Sequence, residues 1–161
     1  MRIGYGFDVH GLIKGRKLFL GGVEIDYPYG LEGHSDADVI VHAVIDALLG
    51  AAGLGDIGMR FPDTDPKYKG VSSLKLLIDV MTEIHSLGFR ISNADVTLLA
   101  QKPKIGPYRE QMVKTLAWGM EIDKNRVNIK ATTTEHLGFV GRCEGIAAAA
   151  VVLLEETPAV R

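Results

Sequence analysis

Cysteine is nearly absent from this sequence, in which Cys143 is the only one among 161 residues. A single cysteine excludes an intrachain disulfide and fits a reducing compartment, so we expect a cytoplasmic protein. The sequence also lacks any run of about 18 uncharged apolar residues, and no basic segment followed by an apolar one opens it. We therefore expect neither a membrane-spanning helix nor an export signal.

An excess of charge of either sign is also missing, since 18 basic and 20 acidic residues leave a formal net charge of −2. Binding of a nucleic-acid backbone or an anionic membrane depends on a basic surface, so neither partner is expected. With 47% hydrophobic and 24% charged residues, the chain has the composition of an ordered domain. At this length the core is large enough to fold without disulfides or a structural metal. Any metal bound is then free to serve function.

No feature of the sequence marks a boundary between domains. The six prolines are scattered, and there is no low-complexity segment, linker or repeat. We therefore predict one domain over residues 1–161. Strand and helix patterns are mixed along the chain and predict an α/β (α+β) fold. Its mixed sheet of about four main strands would carry helices on one face, with a small β-hairpin beside it.

The periodicity of apolar residues predicts the individual elements. Strands are predicted at residues 2–10, 89–100, 127–134 and 145–154, and helices at residues 36–50, 72–87 and 108–118. The alanine run in 145–154 would also suit a helix, but its valines and leucines favour a buried strand. Gly21-Gly22 joins two apolar segments as the turn of a hairpin. Residues 51–70 are predicted to be irregular, and a loop this long is typically functional.

One candidate metal site combines the first strand with the first helix. Asp8 and His10 are two residues apart on a strand and so point to the same face. His42 interrupts an apolar helix, in a polar stripe with Asp38 and Asp46. Two imidazoles and a carboxylate suit zinc with one position left for substrate, although manganese, iron or cobalt would also fit. A hydrogen-bonded core histidine beside a turn aspartate would produce the same pattern.

Three further polar segments are candidates for binding phosphate or sugar groups. His34 and Ser35 precede a predicted helix, where free amides favour a phosphate, although an ordinary serine N-cap has the same appearance. The acidic segment 56–66 suits sugar hydroxyls, or serves only to form turns. Hydroxyls and an acid at 132–135, together with Arg142, suit a diphosphate, although threonine is also a common strand residue.

Six separated segments with such polar residues occur together in this sequence, in a fixed order and spacing. They are Gly6-Phe7-Asp8-Val9-His10, His34-Ser35-Asp36-Ala37-Asp38, His42, Leu54-Gly55-Asp56-Ile57-Gly58, Phe61-Pro62-Asp63-Thr64-Asp65-Pro66 and Lys130-Ala131-Thr132-Thr133-Thr134-Glu135. In this combination the chain, from Arg2 to about Leu154, resembles the 2-C-methyl-D-erythritol 2,4-cyclodiphosphate synthases. That family contains the cyclising enzymes of the non-mevalonate isoprenoid pathway.

The resemblance implies a reaction and its metals. The chain would cyclise 4-diphosphocytidyl-2-C-methyl-D-erythritol 2-phosphate to 2-C-methyl-D-erythritol 2,4-cyclodiphosphate and release CMP, as a metal-dependent phosphorus–oxygen lyase. Asp8, His10 and His42 would hold zinc. Glu135 would serve a magnesium or manganese ion on the substrate diphosphate. Because imidazoles bind a metal only when neutral, activity should fall as the pH drops through the histidine range.

The resemblance also implies catalytic and binding roles. His34 and Thr133 would stabilise the transition state. Substrate contacts are implied for Asp8, Val9, His10, His34, Ser35, Asp56, Ile57, Gly58, Phe61, Pro62, Asp63, Thr64, Asp65, Ala100, Gln101, Lys102, Pro103, Lys104, Ile105, Gly106, Ala131, Thr132, Thr133, Thr134, Glu135, Phe139 and Arg142. Asp56 and Gly58 would hold the erythritol moiety, and residues 100–106 with 131–133 the cytidine. The family is homotrimeric with active sites between subunits, so the zinc and cytidine groups would come from different chains.

Two other functions are compatible with the same residues. A metal-dependent phosphodiesterase or pyrophosphatase would use the metal with water as the nucleophile. A binding module would use the metal only to hold the strand to the helix. In the binding module a His42→Ala variant would unfold, whereas in an enzyme it would stay folded and lose activity.

Overall fold

Four strands come first in residues 1–157, the part of the chain that the computed structural model describes, and helices and further strands follow them. The strands are β1 (Arg2–Lys14), β2 (Leu18–Leu20), β3 (Val23–Ile25), β4 (Tyr29–Leu31), β5 (Phe89–Leu99), β6 (Val127–Thr132) and β7 (Gly145–Glu156). The α-helices are α1 (Val39–Ala52), α2 (Ile57–Arg60), α3 (Ser73–Ser86), α4 (Arg109–Gly119) and α5 (Gly138–Gly141). Short 3₁₀ turns lie at Pro66–Tyr68, Gly106–Tyr108 and Lys124–Arg126.

The main sheet has five strands in the order β4-β1-β7-β5-β6, and β2 and β3 pair separately as the predicted hairpin. Strands β5 and β6 are parallel, and the other neighbours are antiparallel. The mixed α+β sheet is therefore confirmed. The expectation of about four main strands omitted β4, because a three-residue strand is too short to show alternation. The alanine run of β7 forms the central strand, as predicted, and not a helix.

The helices cover one face of the sheet. Helix α1 packs on β1 and β7, α3 packs on α1 and β5, and α4 packs on β6 and α3. The apolar core lies between these helices and the sheet. On the opposite face the side chains of Ile3, Tyr5 and Phe7 of β1 are exposed, together with Val151 of β7. No helix within residues 1–157 has the length and apolar character needed to cross a membrane.

Two glycines of β1 allow α1 to lie directly against the strand. A Cβ atom added at Gly4 would lie 1.8 Å from the carbonyl oxygen of Ala47, and one at Gly6 would lie 2.0 Å from that of Ala43. Any larger residue would push the helix backbone away from the sheet. This close approach places the first turn of α1, which carries His42, beside the middle of β1, which carries Asp8 and His10.

Helix α1 begins later than the sequence suggested. A serine N-cap at Ser35 is not formed, because Ala37 has a φ of 56° and interrupts the helical path. The Oγ atom of Ser35 instead accepts a bond from the amide of Ala37 (3.0 Å). The N-cap is Asp38, whose Oδ1 accepts bonds from the amides of Ile40 and Val41, each at 3.1 Å. The predicted helix 36–50 is thus shifted to Val39–Ala52.

The same carboxylate ties the hairpin turn to the helix. The Asp38 oxygens accept bonds from the amides of Gly21 (2.9 Å) and Gly22 (2.6 Å). Both glycines have positive φ angles, as a tight hairpin turn requires. Asp38 is completely buried, and its four amide donors satisfy the charge where water cannot reach. The first member of the predicted polar stripe is therefore structural.

Candidate active site

The three predicted metal ligands meet where β1 passes α1. The Oδ2 atom of Asp8 lies 2.8 Å from Nε2 of His10 and 3.1 Å from Nδ1 of His42. The two imidazole nitrogens are 3.2 Å apart. Three ligand atoms, one from each residue, therefore face a common point, and all three side chains are half-buried. This convergence of three ligand atoms supports the predicted metal site.

The spacing and chemistry of these atoms fit a divalent metal. Zinc binds histidine nitrogen and carboxylate oxygen at about 2.0–2.2 Å, so tetrahedral ligand atoms lie roughly 3.3 Å apart. The observed separations of 2.8–3.2 Å are close to this value. Three protein ligands leave a fourth position for a reactant, which is typical of catalytic and not of structural metal sites.

The remaining nitrogen of each imidazole is held by a neighbouring group. The Nδ1 atom of His10 lies 2.6 Å from the carbonyl oxygen of Glu32, to which its N–H donates. The Nε2 atom of His42 lies 2.8 Å from Oγ of Ser73 and 3.2 Å from Oγ of Ser35. Such bonds orient the ring of a metal-binding histidine and keep the other nitrogen directed at the metal.

Burial and charge shift the pKa values of two of the ligands. Burial raises the pKa of Asp8, but hydrogen bonds and positive charge from His10 and His42 outweigh it and hold that pKa well below its usual range. Burial lowers the pKa of His10, but the bond and charge of Asp8 and the Glu32 carbonyl raise it above its ordinary value of 6.5. A metal at this site must therefore compete with a proton on His10.

A cavity of about 260 Å³ opens beside the three ligands. Its lining includes the predicted residues Asp8, His10, His34, Ser35, His42, Ile57, Gly58, Phe61 and Asp63. Sequence reasoning missed its other lining residues, which are Gly33, Tyr68, Val71 and Leu76. The predicted irregular segment 51–70 thus forms one wall, as its composition suggested, although it also contains α2 and a 3₁₀ turn.

Two side chains position the walls of this cavity. The guanidinium of Arg16 donates to the carbonyl oxygens of Gly33 (2.6 Å) and Ser35, on either side of His34. Asp46, the last member of the predicted stripe, accepts a bond from the amide of Ile57 at 2.9 Å. No local sequence pattern singled out Arg16, because its partners are backbone atoms 17 and 19 residues away.

A second cavity, of about 420 Å³, lies where the parallel strands β5 and β6 end. Its lining includes the predicted residues Ala100, Gln101, Pro103, Lys104, Ile105, Gly106, Ala131, Thr132 and Thr133. Arg109, Asn128, Ile129 and Lys130 also line it and were not predicted. Within residues 1–157 the two cavities share no lining residue, and β7 separates the strands that carry them.

Several predicted substrate contacts lie in neither lining within one chain. These residues are Val9, Asp56, Pro62, Thr64, Asp65, Lys102, Thr134, Glu135, Phe139 and Arg142. Asp56 accepts the amide of Met59 (2.7 Å) as the N-cap of α2, so turn chemistry accounts for its position in this structure. The Oε1 atom of Glu135 accepts a bond from Oγ of Thr133 (3.0 Å). The Arg142 guanidinium forms two bonds with Glu144, at 2.8 and 3.0 Å.

An α+β sheet with a candidate three-ligand metal site open to a cavity is typical of metal-dependent enzymes. Residues 1–155 match the YgbB family. The chain belongs to this family.

Curated and solved relatives agree with this assignment. The 2-C-methyl-D-erythritol 2,4-cyclodiphosphate synthase of Desulfatibacillum aliphaticivorans is 59% identical over 155 residues, which are 96% of this chain and 100% of that protein. The bifunctional IspDF of Campylobacter jejuni is 44% identical with a TM-score of 0.95, and the match covers 99% of this chain but only 43% of the longer one. A solved 2-C-methyl-D-erythritol 2,4-cyclodiphosphate synthase bound to CDP is 42% identical, with a TM-score of 0.88, over 96% of this chain and 100% of that one. The predicted family is confirmed.

Proposed function

We propose that this chain, a cyclodiphosphate synthase of non-mevalonate isoprenoid biosynthesis, acts on 4-diphosphocytidyl-2-C-methyl-D-erythritol 2-phosphate. An oxygen of the 2-phosphate attacks the β-phosphorus, and a new P–O bond closes the ring. The bond from the β-phosphorus to the bridging oxygen breaks, and CMP leaves with that oxygen. The observation that carries the proposal is the Asp8, His10 and His42 cluster opening into a cavity.

Asp8, His10 and His42 would hold zinc where the middle of β1 passes the start of α1. When bound, zinc supplies a Lewis acid that polarises a phosphoryl oxygen. His34 and Ser35 line the same cavity and would donate hydrogen bonds to phosphate oxygens. Since two anionic phosphates must approach each other, catalysis depends on donors and cations aimed at the developing charge. His34 is assigned to stabilise the transition state.

The segment that includes Asp56, Ile57 and Gly58 would hold the erythritol moiety. Ile57 and Gly58 line the metal-site cavity, with Phe61 and Asp63 beside them. Because the nucleophile is part of the substrate, holding the bent conformer can lower the barrier by up to ~7–11 kcal/mol through avoided entropy loss. The principal task of this wall is therefore to fold the substrate.

The second cavity would bind the cytidine nucleotide. Its lining includes Ala100, Gln101, residues 103–106 and residues 131–133, and the CDP-bound relative supports a cytidine ligand in this family. Thr133 lines it and bonds to Glu135. This juxtaposition supports Thr133 as a transition-state stabiliser, and Glu135 as the group that serves a magnesium or manganese ion on the diphosphate.

A homotrimer would join the two cavities across subunit boundaries. The uncovered sheet face exposes Ile3, Tyr5 and Phe7 with fractional exposures of 72%, 64% and 47%. A contiguous exposed apolar face is typical of an interaction surface. In a closed ring, the metal-site cavity of one subunit can lie beside the cytidine cavity of the next. Phe139 and Arg142 line neither cavity within one chain. In this arrangement they would contact the substrate at the boundary between two subunits.

The reaction is tested by incubating the purified chain with the cytidyl substrate, zinc and magnesium, and identifying products by mass spectrometry. In oxygen-18 water, cyclisation leaves both the cyclic diphosphate and CMP unlabelled. Label in a product phosphate would instead indicate a phosphodiesterase or pyrophosphatase. A His42→Ala variant should remain folded and inactive, whereas its unfolding would assign the metal a structural role.

A further inference from the structure

A buried serine outside both cavities contacts one of the metal ligands. Ser73, the first residue of α3, is completely buried. Its Oγ atom lies 2.8 Å from Nε2 of His42 and also donates a hydrogen bond to Oδ1 of Asp36. The amide of Ser73 donates to the other carboxylate oxygen of Asp36 at 3.0 Å. A carboxylate, a hydroxyl and the imidazole of His42 thus form a continuous chain of hydrogen bonds.

The number of hydrogens on each group decides which group donates and which accepts in these hydrogen bonds. A serine hydroxyl has one hydrogen to donate, and a carboxylate only accepts. Because the hydrogen of Ser73 goes to Asp36, the oxygen of Ser73 can only accept from His42. The Nε2 atom of His42 must then carry a hydrogen, and its Nδ1 atom keeps a lone pair directed toward Asp8 and His10.

A nearby serine does not set this direction. The Oγ atom of Ser35 lies farther from Nε2 of His42, at 3.2 Å, and accepts a bond from the amide of Ala37. Within residues 1–157 the hydroxyl of Ser35 has no carboxylate acceptor comparable to Asp36. This hydroxyl can therefore rotate either to donate to His42 or to accept from it. The fixed acceptor for His42 is therefore Ser73.

We propose that Asp36 and Ser73 are positioning residues that hold His42 in the tautomer and orientation needed to bind a metal through Nδ1. The inference rests on the metal site of the proposed function and adds two residues that line neither cavity. The backbone carbonyl of Glu32 does the same for His10. Partners of this kind typically change metal affinity 10–100-fold when they are removed.

The first test replaces the hydroxyl with Ser73→Ala and measures zinc affinity by competition with a chelator. We expect affinity to fall about 10–100-fold, with a changed absorption spectrum of the cobalt-substituted protein. The matched control is Ser72→Ala, because Ser72 precedes it, is exposed and makes no side-chain capping bond. Thermal unfolding of the metal-free proteins is followed in parallel. Wild-type affinity in Ser73→Ala would overturn the proposal.

The second test changes the hydrogen bonding at the carboxylate of this network and keeps the size of the side chain. The two oxygens of Asp36 also accept the backbone amides of Asp38 (3.2 Å) and Ser73 (3.0 Å), so in Asp36→Asn one of these amides loses its acceptor. Where the new amide nitrogen faces Oγ of Ser73, it donates and turns the serine hydrogen toward His42, which favours the wrong tautomer. We expect zinc affinity to fall at least as much as in Ser73→Ala. Unchanged affinity contradicts the proposal, and so does failure of the isosteric Asp36→Asn protein to fold, which would assign the network to stability.

The two proposals fail in different ways. If zinc binding to the wild-type chain is absent, or is insensitive to His42→Ala, the metal site of the proposed function is wrong. If zinc binds and depends on His42, but is indifferent to Asp36→Asn and Ser73→Ala, only the positioning role is wrong. No substrate is needed for either measurement, so neither result depends on the activity assay.

Discussion

At the scale of single residues, one carboxylate oxygen serves both histidines. Oδ2 of Asp8 contacts Nε2 of His10 and Nδ1 of His42, so the charge that attracts a metal also attracts protons. His10 also donates to the carbonyl of Glu32. The balance between proton and metal is therefore expected to be visible in solution.

Zinc affinity should depend on pH because of His10. The pKa of His10 is raised above 6.5, and zinc binds only the neutral imidazole. Lowering the pH through this raised pKa protonates His10, so affinity should begin to fall above pH 6.5. In the metal-free chain the sign is opposite: the stabilisation from protonated His10 is full below 6.5 and is lost as pH rises through the raised pKa. Chelator competition and urea unfolding across the pH range measure both, and two flat profiles would contradict the assignment.

His34→Ala and Thr133→Ala should lower kcat with little change in stability. Both side chains line cavities and are proposed to bind charge that develops in the transition state. Loss of one such donor typically lowers kcat by about 10²–10³-fold. Steady-state kinetics and thermal unfolding of each variant provide the measurement. A loss of thermal stability in proportion to the loss of activity would assign these residues to the fold instead.

At the scale of elements, α1 organises the site through one polar residue per turn. Asp38 accepts amides of the hairpin turn, His42 joins the ligand cluster and Asp46 accepts the amide of Ile57. The stripe that interrupts an apolar helix therefore makes three separate tertiary contacts. Its position depends on how closely the helix approaches β1.

Gly6→Ala should separate the helix from the strand. The new Cβ would lie 2.0 Å from the carbonyl oxygen of Ala43. This oxygen belongs to the helix backbone and cannot move aside as the end of a flexible side chain would. Overpacking typically costs 1–3 kcal/mol, and we expect about 3 kcal/mol here. Zinc affinity should fall as well, since His42 moves with α1.

The matched control for this experiment is Gly11→Ala in the same strand. Its added Cβ would have no neighbour nearer than 3.8 Å, so urea unfolding should show little change. If both alanine variants unfold at the same urea concentration as wild type, close approach of α1 is not required for the fold.

At the scale of the whole molecule, the two cavities are expected to act together only in an assembly. A mixture of His42→Ala and Lys104→Ala chains, each impaired on its own, tests this directly. In trimers reassembled at random from equal amounts, about one quarter of the sites combine an intact metal cavity with an intact cytidine cavity from a neighbour. Activity should therefore rise to about one quarter of wild type. No recovery in mixed trimers would place each site within one chain.

The elements could be predicted where the signal is local. Alternation and helical spacing revealed the long strands and the three long helices α1, α3 and α4, and Gly21-Gly22 revealed the hairpin, whereas the four-residue helices α2 and α5 were not predicted. The strand β4 and the N-cap of α1 could not be predicted in this way. The first has only three residues, and the second depends on a positive φ at Ala37 and on amides of the distant hairpin.

The groups that can bind a metal, and the strand and helix that carry them, follow from the amino-acid sequence, because ligand chemistry and periodicity are local properties. The convergence of Asp8, His10 and His42 follows instead from the packing of α1 on β1. Tertiary packing also supplies Glu32, Ser73 and Arg16 as partners. These contacts join residues 17 to 34 positions apart, and spacing along the chain does not specify which distant backbone or hydroxyl atoms pack together.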